Sequence, residues 1–181
     1  ATIVKNLLAF ARQDKEHHSP TSMSDIVDGS VSLVGKVLER DSIIIEVAIP
    51  DDLPLIMCRS QQLQQVLMNL LTNARDALNI RYPTFHEDKV VRVLARSLDR
   101  DGGTWVRLTV ENHGESIPTE LMERIFEPFF TTKPREKGTG LGLSVSHGIA
   151  KEHSGSLTAE SEKGDWTRFH LDLPVERDSG A

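Results

Sequence analysis

Cysteine, positive charge and long apolar runs are all scarce in this sequence, and each shortage removes a class of protein. Cys58 is the only cysteine among 181 residues. It leaves no internal disulfide and no cysteine-based zinc cluster, which suits a reducing compartment. The longest apolar runs, such as Ile43-Ile44-Ile45, fall far short of the ~20 residues needed to span a membrane. Lys and Arg number 21 against 27 Asp and Glu, a net charge of −6. That balance argues against a nucleic-acid binder, which needs clustered cations for phosphate backbones. A local basic pocket for a small phosphate ligand remains open. No signal peptide is evident, and the chain opens at Ala1 inside an apolar helical pattern, as a piece of a longer protein would. What is present, 38% hydrophobic and 27% charged residues, reads as a globular domain with an appendage.

Residues 2–13 carry Ile3, Val4, Leu7, Leu8, Phe10 and Ala11 on a broad apolar helical face that needs a partner. His17-His18-Ser19-Pro20 breaks that pattern and reads as linker. A second helix is expected over 24–40, capped by Ser24 or Asp25, with Val27, Val31, Val34 and Leu38 as its buried stripe. Ile43, Ile45, Val47 and Ile49 alternate as in a half-buried strand, and Leu55-Ile56-Met57 suggests a short one. The strongest helical period runs over 60–79, with Leu63, Val66, Leu67, Leu70, Leu71, Ala74, Ala77 and Leu78 on one face. Strands near 89–97 and 104–111 flank the turn Asp101-Gly102-Gly103. A long loop over 112–141, helical only near 119–125, marks a functional segment. A helix over 141–153, ended by Ser154-Gly155, and a hairpin of strands 156–161 and 166–173 around Lys163-Gly164 complete the chain. This order is not the strict strand–helix alternation of a parallel doubly wound sheet. It predicts a mixed sheet with helices on one face.

Three groups of residues carry chemistry. On the long helix, Gln62, Gln65, Asn69, Asn73 and Asp76 recur every three or four residues and form a polar stripe beside the apolar face. A carboxamide there offers a neutral oxygen to a hard cation such as Mg²⁺, although a plain solvated face has the same spacing. Next, Gly138-Thr139-Gly140-Leu141-Gly142-Leu143-Ser144 leads into a helix. Glycines allow close approach to a phosphate, and a helix N-terminus supplies free N–H groups. No Lys-Ser/Thr follows, so it is not a Walker loop, and no strand leads directly into it, so it is not a dinucleotide fingerprint. A flexible hinge is the alternative. Third, Val110-Glu111-Asn112-His113-Gly114-Glu115-Ser116-Ile117-Pro118 lies where a strand ends, either as an ordinary turn or with a carboxamide reading an adenine amino group. Lys133, after Phe129-Phe130-Thr131-Thr132, is a phosphate ligand or a surface lysine.

Taken together, these groups resemble the ATP-binding domain of sensor histidine kinases, in the superfamily shared with DNA gyrase, Hsp90 and MutL. The stretch 63–77, Leu-Gln-Gln-Val-Leu-Met-Asn-Leu-Leu-Thr-Asn-Ala-Arg-Asp-Ala, looks like that family's N box. Phe126-Glu127-Pro128-Phe129-Phe130-Thr131-Thr132-Lys133 looks like its F box, and Gly138 to Leu143 like its second glycine box. The Asp-Ala ending of the N box and the Phe-Phe-Thr-Thr-Lys string are similar to the nitrogen-regulation and oxygen-sensing subgroup.

The resemblance implies an α/β two-layer sandwich, a mixed, mostly antiparallel sheet covered on one face by helices (the Bergerat-type ATP-binding fold), with the long loop as an ATP lid. It implies ATP and Mg²⁺ as ligands. Asn73 would hold Mg²⁺, and Asn69 would assist near the phosphates. Gly138, Thr139, Gly140, Leu141, Gly142 and Leu143 would wrap the phosphates, with Asp76 and Lys133 close by. Asn112, Gly114, Ser116 and Ile117 would meet the adenine, and Thr167 matches a threonine near it. In hydrolysing members a glutamate lies four residues before the Mg²⁺ asparagine. Here Asn69 stands there and takes no proton at neutral pH, which favours phosphoryl transfer to a protein histidine over ATP hydrolysis.

The first glycine box departs from the family's Asp-x-Gly-x-Gly-Ile-Pro: Asn112 replaces the adenine-reading Asp and Ser116 the second glycine. Losing charge assistance costs on the order of 1 kcal/mol, Ser116 adds a side chain beside the base, and Glu115 adds negative charge. The expected domains are 1–18, the end of a dimerisation-hairpin helix; 19–175, the ATP-binding domain; and 176–181, a loose tail. No phosphoacceptor histidine is recognisable, so the chain alone is not expected to autophosphorylate. The implied partners are its own dimerisation and phosphotransfer domain and a response regulator, in a homodimer, with the fragment cytoplasmic and the full-length protein open to membrane anchoring. A degenerate docking module of the same fold is the alternative function.

Overall fold

The structure, a computed structural model, describes residues 18–133 and 138–175. The apolar helix expected over 2–13 and the tail after 175 lie outside the described residues.

Ser22 starts the first helix, α1 (Met23–Arg40): its hydroxyl accepts a hydrogen bond from the Asp25 N–H at 3.1 Å. The expected cap at Ser24 or Asp25 is therefore displaced. Ser22 has Asp25 three residues on, the spacing of a capping pair. Val27 and Leu38 are fully buried as expected, joined by Met23 and Ile26. The long helix α2 (Ser60–Arg81) buries seven apolar residues from Leu63 to Leu78. The third helix, α3 (Gly142–Glu152), packs beside it.

Ser19–Thr21 forms strand β1, read from sequence only as a break. It pairs antiparallel with β3 (Ile56–Cys58) in a two-stranded sheet. Three residues are too few to show a period. The main sheet has five strands in the order β2 (Ile44–Ala48), β4 (Val90–Arg100), β5 (Gly103–Asn112), β7 (Thr167–Pro174) and β6 (Ser156–Ser161). Only β2 and β4 are parallel. Because β2 is an edge strand, Val47 is half exposed, not buried as its alternation suggests. The β4–β5 turn has both Asp101 and Gly102 at positive φ, the conformation an Asp-Gly hairpin demands.

Alternation along the strands sets the layers. Val106, Leu108 and Val110 on β5 and Leu173, Leu171 and Phe169 on β7 pair across the sheet and face the helices. One step further along the same face, the paired positions become Asn112 and Thr167, with Ser161 beside Thr167 on β6. The apolar core thus ends in a polar row at one edge of the sheet, beneath α2. The opposite face carries Arg107, bonded through two nitrogens to Asp172 at 2.7 and 2.8 Å, and Glu111 held by Arg92 and Arg168.

Candidate functional site

The wall of the site is α2, and each of its successive turns takes hold of a different segment. Its third turn carries Asn69. The Nδ2 of Asn69 donates to the Gly142 carbonyl and to Ser146 Oγ, both at 3.1 Å, and so ties α2 to the first turn of α3. One turn on, Asn73 and Asp76 meet Lys133: Nζ lies 3.1 Å from Asn73 Oδ1 and 2.5 Å from Asp76 Oδ2. A further turn on, the Ala77 carbonyl accepts the Glu115 N–H at 2.9 Å. Gly114 lies so close that a Cβ there would come within 2.4 Å of the Ala77 backbone. Only glycine fits. The helix ends on Arg81, whose guanidinium donates to the carbonyls of His113 at 3.0 Å and Gly164 at 2.8 Å. The loop after β5 is thereby held between α2 and the β6–β7 turn.

The end expected to face the adenine is built from the polar row of the sheet. Asn112 is 2% exposed and Thr167 3%. Asn112 Oδ1 accepts the Gly114 N–H at 3.0 Å. The oxygen expected to face an adenine amino group is therefore already engaged with the loop, with one lone pair left over. Thr167 Oγ1 is 2.8 Å from Ser161 Oγ, which also accepts the Ile117 N–H at 3.0 Å. The Ser116 Oγ is turned to the β6–β7 turn, where Gly164 N–H donates to it at 3.4 Å. Glu115 is exposed.

The end expected to face the phosphates is built from the glycine loop. Gly140 has φ +68°, and a Cβ on it would lie 2.4 Å from the Phe129 backbone. Its carbonyl accepts the Phe129 N–H at 2.9 Å, so the two boxes are joined directly. Gly142 is different: a Cβ there would meet Asn69 at 3.8 Å, an ordinary contact. Leu141 precedes α3 without any side-chain cap bond, so among the described residues no side chain caps the first N–H groups of the helix, which suits them to an anion. Gly138 lies against Lys133, Thr139 is exposed, and Leu143 and Ile117 pack on the core.

Ser146, Ser161 and Arg81 take part without having been singled out from sequence. No local pattern marks them, because each has a partner far off in sequence, 77, 44 and up to 84 residues away. Glu111 and His113 belong to the open face of the sheet with Arg92 and Arg168. Burial pushes the Glu111 carboxyl up, but hydrogen bonds from Arg168 and Arg92 outweigh it and hold it below the usual range.

The donor set fits Mg²⁺. Among the described residues no three His, Cys, Asp or Glu side chains converge as a metal cluster. Mg²⁺ does not need one, since it binds through one or two protein oxygens together with substrate phosphates. Asn73 Oδ1 and Asp76 already face a cation.

The comparisons agree with this geometry. The model of the histidine kinase-, DNA gyrase B- and HSP90-like ATPase family matches residues 58–177. The two-component sensor PprA of Pseudomonas aeruginosa is 39% identical over 173 residues, 96% of this chain and 18% of that protein. Sporulation kinase E of Bacillus subtilis is 30% identical over 178 residues, 98% of this chain and 22% of that protein. The chain thus spans about a fifth of the length of these relatives. The catalytic domain of histidine kinase ThkA, solved nucleotide-free, superposes with a TM-score of 0.72 at 25% identity, covering 88% of this chain and 96% of that one. The chain belongs to the histidine kinase-, DNA gyrase B- and HSP90-like ATPase family, as a catalytic ATP-binding module of the sensor histidine kinase type.

Proposed function

We propose that this module binds ATP with Mg²⁺ between α2 and the glycine loop and presents the γ-phosphate to a histidine outside residues 1–181. The observation that carries this reading is the gathering of Asn73, Asp76 and Lys133 at one point beside the uncapped start of α3. Asn73 and Asp76 supply the oxygens that hold the metal, and bound Mg²⁺ offsets phosphate charge. The free N–H groups of α3 receive phosphate oxygens. Asn69 holds the first turn of α3 against α2 and leaves no carboxylate there to activate water. Transfer to a histidine is therefore favoured over hydrolysis, and catalysis rests on positioning and charge. At the far end, Asn112 and Thr167 meet the adenine.

In this reading residues 19–175 form the ATP-binding domain and 1–18 end a dimerisation-hairpin helix. The full-length protein is a homodimer that passes phosphate to a response regulator. The test supplies ATP·Mg²⁺ and a separate two-helix phosphoacceptor domain of a sensor kinase, and follows labelled phosphate on its histidine. Label on the histidine with little free phosphate is expected. Free phosphate released without any acceptor contradicts the reading.

A further inference from the structure

We propose that Lys133 is a built-in counter-cation whose ammonium occupies the divalent-ion position until nucleotide arrives. The inference rests on the reading of Asn73 as the metal-holding residue. Asn73 and Asp76 are three residues apart on α2, so their oxygens lie on one face. Both face a single ammonium, at 3.1 and 2.5 Å. An ammonium only donates, so the Asn73 amide presents its oxygen, the atom a hard cation needs.

The second Asp76 oxygen is 4.0 Å from Arg75, which is committed to Asp41 through Nε and stands off from this point. Among the described residues, Lys133 is therefore the cation that balances Asp76 at Oδ2. Its side chain and that of Asp76 are 28% and 29% exposed, so their attraction is only partly screened by water.

A divalent ion entering alone has to displace this ammonium. An ion entering with nucleotide does not face the same opposition, because phosphate oxygens give the displaced ammonium a new partner. Lys133 thus couples metal entry to nucleotide entry. Its removal has opposite effects on the two ligands: tighter binding of free metal and weaker binding of nucleotide. A lysine that served only the phosphates would weaken nucleotide and leave free metal unchanged.

The test is a Mn²⁺ titration of the nucleotide-free chain, read by electron paramagnetic resonance, on wild type, Lys133→Met, Lys133→Gln and Lys133→Met with Asn73→Ala. A nonhydrolysable ATP analogue with Mg²⁺ is titrated in parallel. Both single variants are expected to bind Mn²⁺ roughly tenfold more tightly than wild type, and the gain disappears when Asn73→Ala is added. The same single variants bind the ATP analogue more weakly. Equal or weaker Mn²⁺ binding in both single variants, with ATP-analogue binding intact in wild type, overturns the counter-cation alone. Failure of the wild type to bind the analogue at all overturns the nucleotide reading beneath it.

Discussion

The two ends of the site are held in place by different physics. The base end is nearly closed to solvent and wired by neutral hydrogen bonds: Asn112 to Gly114, and Thr167 and Ile117 to Ser161. Its geometry follows from strand register. The phosphate end is half exposed and held by charge, with Lys133 on Asn73 and Asp76. Both ends have a packed frame, since Gly140 is fixed against Phe129 and Asn69 ties Gly142 to α2, but the phosphate end adds an ion pair, Lys133 on Asp76, that an incoming charge can replace. On the proposed function, recognition of the base would depend on packing, whereas capture of phosphate and metal would depend on exchange of partners.

Glycine substitutions break this comparison most sharply. Gly114→Val places side-chain atoms against the Ala77–Leu78 backbone and is expected to cost about 3 kcal/mol or more, lowering Tm and abolishing ATP-analogue binding together. Gly142→Ala has room and should change stability by less than about 1 kcal/mol. Thermal unfolding of the two variants side by side checks the contrast. A Gly114→Val protein as stable as wild type would show that the base end is not packing-controlled.

Asn112→Asp sharpens the base end. It keeps the acceptor for the Gly114 N–H and adds charge toward an adenine amino group. ATP affinity measured by calorimetry should rise several-fold, a gain on the order of 1 kcal/mol. Unchanged affinity would mean that the remaining lone pair of Asn112 does not reach the base.

The smallest effect lies outside both ends. Burial, the largest influence on His153, lowers its pKa and favours the neutral ring. In that form Nε2 accepts the Arg59 N–H at 3.1 Å and Nδ1–H donates to the Ile149 carbonyl at 2.9 Å. The unfolded chain binds the proton more readily, with a pKa of about 6.5. Stability is therefore full above that value and falls as pH drops through it toward the lower folded pKa. His153→Gln should flatten part of this loss in thermal melts taken from about pH 7.5 to 5.5. Only part is removed, since burial also lowers His170 and His147. A loss of stability on acidification as steep as wild type would contradict the assignment.

The phosphate end was the more legible in sequence. The N box lies on one long amphipathic helix and the glycine loop is contiguous, so spacing marked Asn69, Asn73 and Gly138 to Gly142 as candidates, and the family resemblance supplied their expected roles. The edge position of β2, the three-residue β1 and the cap at Ser22 were less legible, because they depend on partners distant in sequence or on only a few residues. At the base end, spacing located Asn112 but not its hydrogen bond to Gly114. Nor did it reveal that Ser116 turns toward Gly164, or that Ser161 completes the row. Those contacts depend on the register of β5, β7 and β6, which no local pattern encodes.

On the proposed function, Asn73 holds the metal through which ATP binds. Calorimetric titration of a nonhydrolysable ATP analogue with Mg²⁺ tests it most directly, on wild type and on Asn73→Ala. Saturable, Mg²⁺-dependent binding in wild type that is lost in Asn73→Ala, with both proteins equally folded, is the predicted result. Equal binding by the two proteins, or binding in wild type that ignores Mg²⁺, would contradict it.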